Sequence, residues 1–140
     1  MRKFEDSIPL QLLKAREASM QFFRPLLQKN NLTEQQWRVL RALKAYNELE
    51  SKQLADLCCI LSPSLTGIIK RLEQQGYIER RKSAEDQRRT LIKLTEQALQ
   101  LFEKISPEVD AHYQLFAERF GEEKLDQLSK LLQELASIKP

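Results

Sequence analysis

The chain has 140 residues, of which 41% are hydrophobic and 31% charged, and its formal net charge is +3. This length is that of one ordinary domain, and the composition is too apolar for a disordered chain and too charged for a membrane protein. The chain holds 3 glycines and 5 prolines, too few for the frequent turns of an all-β sandwich or barrel. We therefore expect a mainly α-helical fold.

The sequence contains no pattern typical of a catalytic or metal site. The single histidine, His112, has no second histidine or cysteine at a metal-ligand spacing, and neither a glycine-rich phosphate loop nor a nucleophile motif occurs. The adjacent Cys58 and Cys59 point apart in a regular element, which excludes a structural disulfide between them. No apolar run approaches the ~20 residues of a membrane span, and the polar start does not resemble a signal peptide. We predict a cytoplasmic protein that is not an enzyme and has no cofactor, no metal and no membrane partner.

The first predicted helix covers about residues 8–29, begins after Ser7 and contains Pro25 as a kink. Thr33 and Gln36 form a capping box that starts a second helix. The apolar stripe of this second helix should face the core, and it consists of Trp37, Leu40, Leu43 and Tyr46.

Two short helices are predicted next, in the arrangement of a helix-turn-helix. Ser51 is the expected N-cap of the first of them, and the second begins at residues 61–64 and stops before Gly76. The second helix buries Leu65, Ile68, Ile69 and Leu72. Its other face is polar and basic, with Ser64, Thr66, Gly67, Lys70, Arg71 and Gln74.

A charged hairpin follows the second short helix. Residues 77–81 and 90–94 are short β-prone runs around the polar stretch 82–89. A helix-turn-helix followed directly by such a hairpin is a winged helix. Residues 70–93 carry 8 basic and 4 acidic side chains, whereas residues 94–140 carry 5 and 9. This distribution predicts a polyanion site in the middle of the chain, with a charged, solvated face as the alternative.

Two long helices close the chain. Thr95 starts the first of them, which bends near Pro107 and ends at Gly121, and the second covers about residues 122–138. These helices and the first helix have wide apolar stripes that the small winged part is too small to cover. We expect them to pair with a second chain, with a monomeric bundle as the alternative.

The predicted fold class is therefore mainly α with a small β wing, a winged helix-turn-helix with long N- and C-terminal dimerisation helices. We predict one domain over residues 1–140. About residues 33–95 form its DNA-binding winged-helix part, and about residues 1–30 and 96–140 form the dimerisation helices.

These elements and several motifs resemble the MarR family of winged-helix repressors. Asp86-Gln87-Arg88-Arg89 and the strand after it are similar to the wing signature of the family, Asp-x-Arg. Leu32–Arg38, Cys59–Leu61 and Pro63–Gly67 resemble one branch, which includes regulators of homoprotocatechuate (4-hydroxyphenylacetate) degradation operons and a fatty-acid-resistance efflux regulator. Relatives in that branch carry arginine at the position of Ser62, so operator contacts are expected to differ there.

The resemblance implies binding to a double-stranded DNA operator as a homodimer. An arginine at a hairpin tip, such as Arg88, suits the narrow minor groove of A·T-rich DNA, and Asp86 is placed to hold it. The alternative for this pair is an exposed ion pair of little energetic value. Gly67 costs its helix about 1 kcal/mol relative to alanine, which close approach of DNA or of the preceding helix would justify. The residues predicted to contact DNA are Pro63, Ser64, Thr66, Lys70, Arg71, Asp86, Arg88 and Arg89.

An arginine beside aromatic surface on the first helix suggests an aromatic carboxylate as effector. Arg16, Ser19, Met20 and Phe23 share one helical face. In the family, effectors bind between the dimerisation helices and the winged part, which implies a pocket of Arg16, Ser19, Phe23, Trp37, Arg38 and Cys58. The alternatives are a salt bridge for Arg16, a core position for Trp37 and a small buried hydrophobe at Cys58.

The function predicted from these features is a transcriptional repressor that a small aromatic carboxylate releases from its operator, controlling an aromatic-acid catabolic operon. One alternative is a regulator of a fatty-acid or drug efflux operon. A second is a thiol redox sensor that uses Cys58 or Cys59. A third is a protein-interaction module without DNA affinity, which the basic segment and the wing signature disfavour.

Overall fold

The computed structural model describes residues 1–140 and confirms a mainly α-helical winged fold with one small antiparallel sheet. None of its helices has both the length and the apolar character needed to cross a membrane. After a short 3-10 turn, the elements in chain order are α1 (Ile8–Met20), α2 (Arg24–Lys29), α3 (Glu34–Tyr46), β1 (Glu48–Glu50), α4 (Ser51–Cys58), α5 (Ser62–Gln74), β2 (Ile78–Lys82), β3 (Thr90–Leu94), α6 (Glu96–Phe120) and α7 (Glu122–Ser137).

The chain divides into two compact units. Met1–Pro25 and Pro107–Pro140 form one, here called the terminal unit, and Leu26–Ser106 form the other, the central unit. The terminal unit contains α1, α7 and the second part of α6. The central unit contains α3, α4, α5, the sheet and the first part of α6.

The first predicted helix is two helices in the structure. Ser7 caps α1 as expected, because its Oγ accepts a hydrogen bond from the Leu10 backbone N–H at 3.4 Å. The chain then leaves α1 at Met20 through tight turns, with the Phe23 N–H bonded to the Met20 carbonyl at 3.0 Å. The predicted kink at Pro25 is wrong: this proline lies in the first turn of α2, where a residue without an N–H fits a new helix.

The capping box at the start of α3 is confirmed. The Gln36 N–H donates to Thr33 Oγ1 and the Thr33 N–H donates to Gln36 Oε1, both at 3.1 Å. The predicted stripe is only partly correct, because Tyr46 is 58% exposed. A helix repeats every 3.6 residues, so a stripe of constant spacing three drifts off the buried face. The residues that α3 buries are Gln36, Val39, Leu40 and Leu43.

A three-stranded antiparallel sheet in the order β1-β3-β2 lies next to these helices. The predicted hairpin forms β2 and β3, with Ile78 opposite Leu94 and Lys82 opposite Thr90. Sequence reasoning missed β1, which has three residues and a single buried apolar side chain, Leu49. Because β1 ends at Glu50 and α4 begins at the next residue, the N-cap of α4 is Glu50 and not the predicted Ser51.

The ends of the remaining helices agree with their sequence signals. Gly76 follows α5 with a φ of 83°, the left-handed conformation that ends a helix. Thr95 starts α6, since its Oγ1 accepts from the Ala98 N–H at 3.3 Å. This helix continues through Pro107 to Phe120, and α7 begins after Gly121.

Candidate functional site

The polar face of α5 is exposed. This helix turns Leu65, Ile69 and Leu72 into the core of the central unit. Lys70 and Arg71 are exposed and form no ion pair within the chain, so both cations are available to phosphate groups. The predicted DNA contacts on this helix are all exposed, namely Pro63, Ser64, Thr66, Lys70 and Arg71.

The surroundings of Thr66 and Gly67 bear on the predicted contact of α5 with DNA. The Thr66 hydroxyl donates to the Ser62 carbonyl at 3.1 Å, which leaves its methyl group and its oxygen lone pairs for a ligand. A Cβ atom added at Gly67 would meet no atom within 4 Å. The proposed close packing of Gly67 against the preceding helix is therefore wrong, and close approach of DNA at this position stays a prediction.

The wing tip holds Arg88 in the manner expected from the sequence. Asp86 Oδ1 accepts from the Arg88 backbone N–H at 3.0 Å and from Nε at 3.2 Å, while Oδ2 accepts from Nη2 at 3.3 Å. These hydrogen bonds from Arg88, first those of its side chain, lower the pKa of Asp86. The Arg88 side chain is nevertheless 91% exposed, so the turn directs a guanidinium outward without covering it.

Ser83 is a structural residue of the wing that sequence reasoning missed. It is buried, and its Oγ accepts from the backbone N–H groups of Glu85 at 3.3 Å and Asp86 at 3.4 Å. Its own N–H bonds to the Arg89 carbonyl at 2.9 Å and closes the tip. A serine followed by polar residues is a turn signal, but nothing local indicates that it is buried.

Several cations of the basic segment are paired with carboxylates. The pairs are Glu73–Arg80 at 3.0 Å, Glu48–Arg81 and Glu50–Arg89 at 2.6 Å each, and Glu79–Lys93 at 3.3 Å. Glu48 and Glu50 lie outside residues 70–93, so counting charges within that segment overstated its positive field. Within residues 70–93, the exposed Lys70, Arg71 and Lys82 form no ion pair, and Arg88 is directed outward although it is bonded to Asp86.

Three of the predicted effector residues lie in the terminal unit. Arg16 Nη1 is 3.6 Å from Glu17 Oε1. The Ser19 hydroxyl donates to the Arg16 carbonyl at 2.8 Å, which turns it toward its own helix. The Phe23 ring lies 6.3 Å from the Tyr113 ring and 6.4 Å from the Phe116 ring.

The other three lie in the central unit, where two of them are bonded to each other. Arg38 Nη1 donates to the Cys58 carbonyl at 2.8 Å, which satisfies a carbonyl at the end of α4. Burial raises the pKa of the Cys58 thiol, and this side chain packs as a small hydrophobe. Trp37 packs on Phe102 with ring centroids 4.8 Å apart. Arg38 and Cys58 thus have structural contacts, whatever further role they have.

The terminal unit also has a cleft of about 430 Å³ beside Tyr113. Its walls include Asp110, Glu122 and Asp126. Three carboxylates would repel an anionic ligand, so this cleft does not suit a carboxylate effector.

Helix α5 follows the short helix α4 after a turn, and its exposed face is polar and basic. The hairpin after α5 directs an arginine outward. This combination defines a winged-helix DNA-binding protein. Comparison with known proteins identifies the family of this chain. The model of the MarR family matches residues 32–90. The HTH-type transcriptional regulator FarR of Neisseria gonorrhoeae is 48% identical over 94% of this chain and 90% of its own length. The homoprotocatechuate degradative operon repressor of Escherichia coli is 41% identical over 95% of this chain and 90% of its own length.

A solved structure supports the same family assignment. The crystal structure of NadR in complex with 4-hydroxyphenylacetate has a TM-score of 0.84 and 45% identity, and the match covers 99% of both chains. The chain belongs to the MarR family. It is a DNA-binding transcriptional regulator and not an enzyme.

Proposed function

We propose that this protein is a cytoplasmic homodimeric repressor of an aromatic-acid catabolic operon and that a small aromatic carboxylate releases it from its operator. The observation that carries the proposal is the similarity, over nearly the whole chain, to NadR in complex with 4-hydroxyphenylacetate. The similarity to the E. coli homoprotocatechuate degradative operon repressor points to the same class of ligand and operon.

Exposed apolar side chains on the terminal helices support the homodimer. Neither α1 nor α7 buries any residue within the chain. Burying such surface against a second copy is favourable by about 25 cal/mol per Å². The apolar residues left exposed are Ile8, Leu12, Leu13, Leu131, Leu132, Leu135 and Ile138. We expect a dimer in sedimentation velocity at micromolar concentration, and a monomer with and without DNA would refute it.

In the proposed complex, α5 lies in the major groove and the wing reaches the adjacent minor groove. Ser64, Thr66, Lys70 and Arg71 then face base edges and phosphates, and Arg88 enters the minor groove. Two copies related by a two-fold axis should select a palindrome whose half-site centres are about 34–36 Å apart. Selection of bound duplexes from a random pool measures both the symmetry and the spacing.

Release requires that the effector bind better to a dimer whose two α5 helices do not fit the operator. A ligand with equal affinity for both states would shift nothing, however tightly it bound. The effector test is therefore linked to DNA binding: calorimetric binding and operator release should follow the same order across a ligand series.

Arg16 is the proposed partner of the effector carboxylate, and Trp37 is the proposed apolar contact. 4-Hydroxyphenylacetate should bind more tightly than its uncharged amide, because the amide loses the charge-assisted hydrogen bond to the Arg16 guanidinium. Arg16→Ala should abolish this difference, whereas Lys14→Ala on the same helix removes a cation and should keep it. Equal binding of the acid by Arg16→Ala and the wild type would make Arg16 structural.

A regulator of a fatty-acid or drug efflux operon is the second candidate, which the 48% identity to FarR supports. Including a medium-chain fatty acid in the same release assay separates the two. Release by the fatty acid alone would replace the aromatic effector. Thiol redox sensing at Cys58 is disfavoured, because a buried thiol with a raised pKa is a poor nucleophile.

A further inference from the structure

Two carboxylates on β1 hold two arginines of the hairpin. Glu50 lies opposite Leu91 on β3, and its Oε1 accepts from Nε of Arg89, the residue that precedes β3, at 2.6 Å. Glu48 accepts two hydrogen bonds from Arg81 of β2, at 2.6 and 2.9 Å, across the intervening strand β3. The edge strand β1 is thus tied to both sides of the wing base.

Consecutive arginines of the wing have different anchors. Arg88 is paired with Asp86 inside the tip and its side chain is 91% exposed. Arg89 reaches back to Glu50 on another strand, and its side chain is only 46% exposed. The hydrogen bond to Glu50 also raises the pKa of Arg89. The fold therefore directs one guanidinium outward and keeps the next one on the sheet.

The two β1 pairs have little value for stability. Their arginines are about half exposed and their glutamates about a quarter exposed, and pairs of this kind stabilise a fold only slightly because water and salt screen them. Their effect on a polyanion is larger. To reach a phosphate, Arg89 would have to leave Glu50 and bring that carboxylate close to the phosphate charge.

We propose that Glu50, supported by Glu48, keeps Arg89 and Arg81 away from DNA phosphates and so limits sequence-independent DNA binding, while the outward-directed Arg88 enters the groove. Glu50 is then a specificity-determining, positioning residue. The proposal rests on DNA binding by this family member, and it replaces the sequence-based prediction that Arg89 contacts DNA.

The test is binding to a fluorescently labelled duplex of scrambled sequence, about two helical turns long, followed by anisotropy between about 50 and 200 mM salt. Glu50→Gln should bind this duplex about two- to fivefold more tightly per subunit, the factor that an exposed ion pair commonly represents. The slope of log K against log salt should become steeper by about 0.9 for each arginine released onto a phosphate. A merely structural role of Glu50 would not steepen this slope.

Arg89 identifies the origin of the gain. Arg89→Ala alone should keep the wild-type affinity and slope, and Glu50→Gln/Arg89→Ala should lose the gain of the single variant. Glu79→Gln is the matched control, because it removes the same charge from the same sheet but releases Lys93 near the C-terminal end of β3. Thermal melts check that the cap of α4 survives in Glu50→Gln. We expect it to survive, because glutamine keeps a side-chain oxygen and the Gln53 amide oxygen still accepts from the backbone N–H of residue 50.

Three results would overturn the proposal. An unchanged slope for Glu50→Gln would mean that the pair restrains nothing. A gain that persists in the double variant would come from lost charge and not from Arg89. A weaker, less salt-dependent Arg89→Ala would place Arg89 on phosphate in the wild type. Failure of the wild type to bind any duplex at low salt would instead refute DNA binding itself.

Discussion

Gly67 offers a test in which stability and DNA binding should move in opposite directions. It lies inside α5 with no atom within 4 Å of an added Cβ. Alanine at this position restricts the unfolded chain without a steric cost and should stabilise the protein by about 0.5–1 kcal/mol per chain. For a chain of this length, that gain corresponds to an increase in Tm of roughly 2–5 °C.

The same methyl group would project from the exposed face of α5 beside Ser64, Lys70 and Arg71, which lie three or four residues away on the helix. If DNA approaches this face closely, Gly67→Ala should weaken operator binding at least about fivefold, which corresponds to about 1 kcal/mol. Thermal melts by circular dichroism at fixed protein concentration and anisotropy titrations with the selected operator measure the two effects.

Gly76→Ala is the matched control of opposite sign. Its φ of 83° is unfavourable for alanine, and the added Cβ would lie 2.7 Å from Gln97 Oε1. We expect a loss of at least about 1–2 kcal/mol and a lower Tm. A lower Tm for Gly67→Ala would refute the open-space argument, and unchanged operator affinity would show that DNA does not approach α5 at this glycine.

Three further outcomes follow from the wing and the cysteines. Arg88→Ala should weaken operator binding and reduce preference at the outer minor-groove positions, whereas Arg119→Ala on α6 should not; equal affinities in a titration at matched salt would exclude wing insertion. Hydrogen bonds from Arg88 lower the pKa of Asp86, so the Asp86 carboxylate should hold Arg88 fully above the ordinary aspartate pKa and release it as the pH falls through the lowered value. The NMR chemical shift of the Arg88 backbone amide measures this release, and a midpoint at the ordinary pKa would contradict the prediction. Buried Cys58 should react with iodoacetamide far more slowly than exposed Cys59, which mass spectrometry after proteolysis distinguishes.

The features that could be predicted from the sequence are those that neighbouring residues determine. The capping box of Thr33 and Gln36, the stop at Gly76 and the hold of Asp86 on Arg88 each involve residues no more than three positions apart, or a single backbone conformation. Such signals do not depend on the tertiary fold. They were sufficient to define the winged helix and to place its outward arginine.

The features that were missed depend on residues distant in the chain. Glu48 and Arg81 are separated by 33 positions, and Glu50 and Arg89 by 39. Both pairs exist only because the three-residue β1 joins the edge of the hairpin, and three residues are too few for a strand pattern. For the same reason, the local charge of the wing could not be obtained by counting residues along the sequence.

Helix α5 and the wing, the two elements that we propose to contact DNA, are joined within the central unit, which restricts how an effector could act. The Thr95 hydroxyl donates to the Gly76 carbonyl at 2.6 Å, and the Thr95 N–H donates to the Tyr77 carbonyl at 3.1 Å. Arg80 of β2 forms two hydrogen bonds with Glu73 of α5, at 3.0 and 3.2 Å. Turning the wing relative to α5 would break these contacts within each chain. An effector that releases the operator is therefore expected to change the spacing between the two copies of the central unit, which a palindromic site measures directly, rather than the shape of either copy.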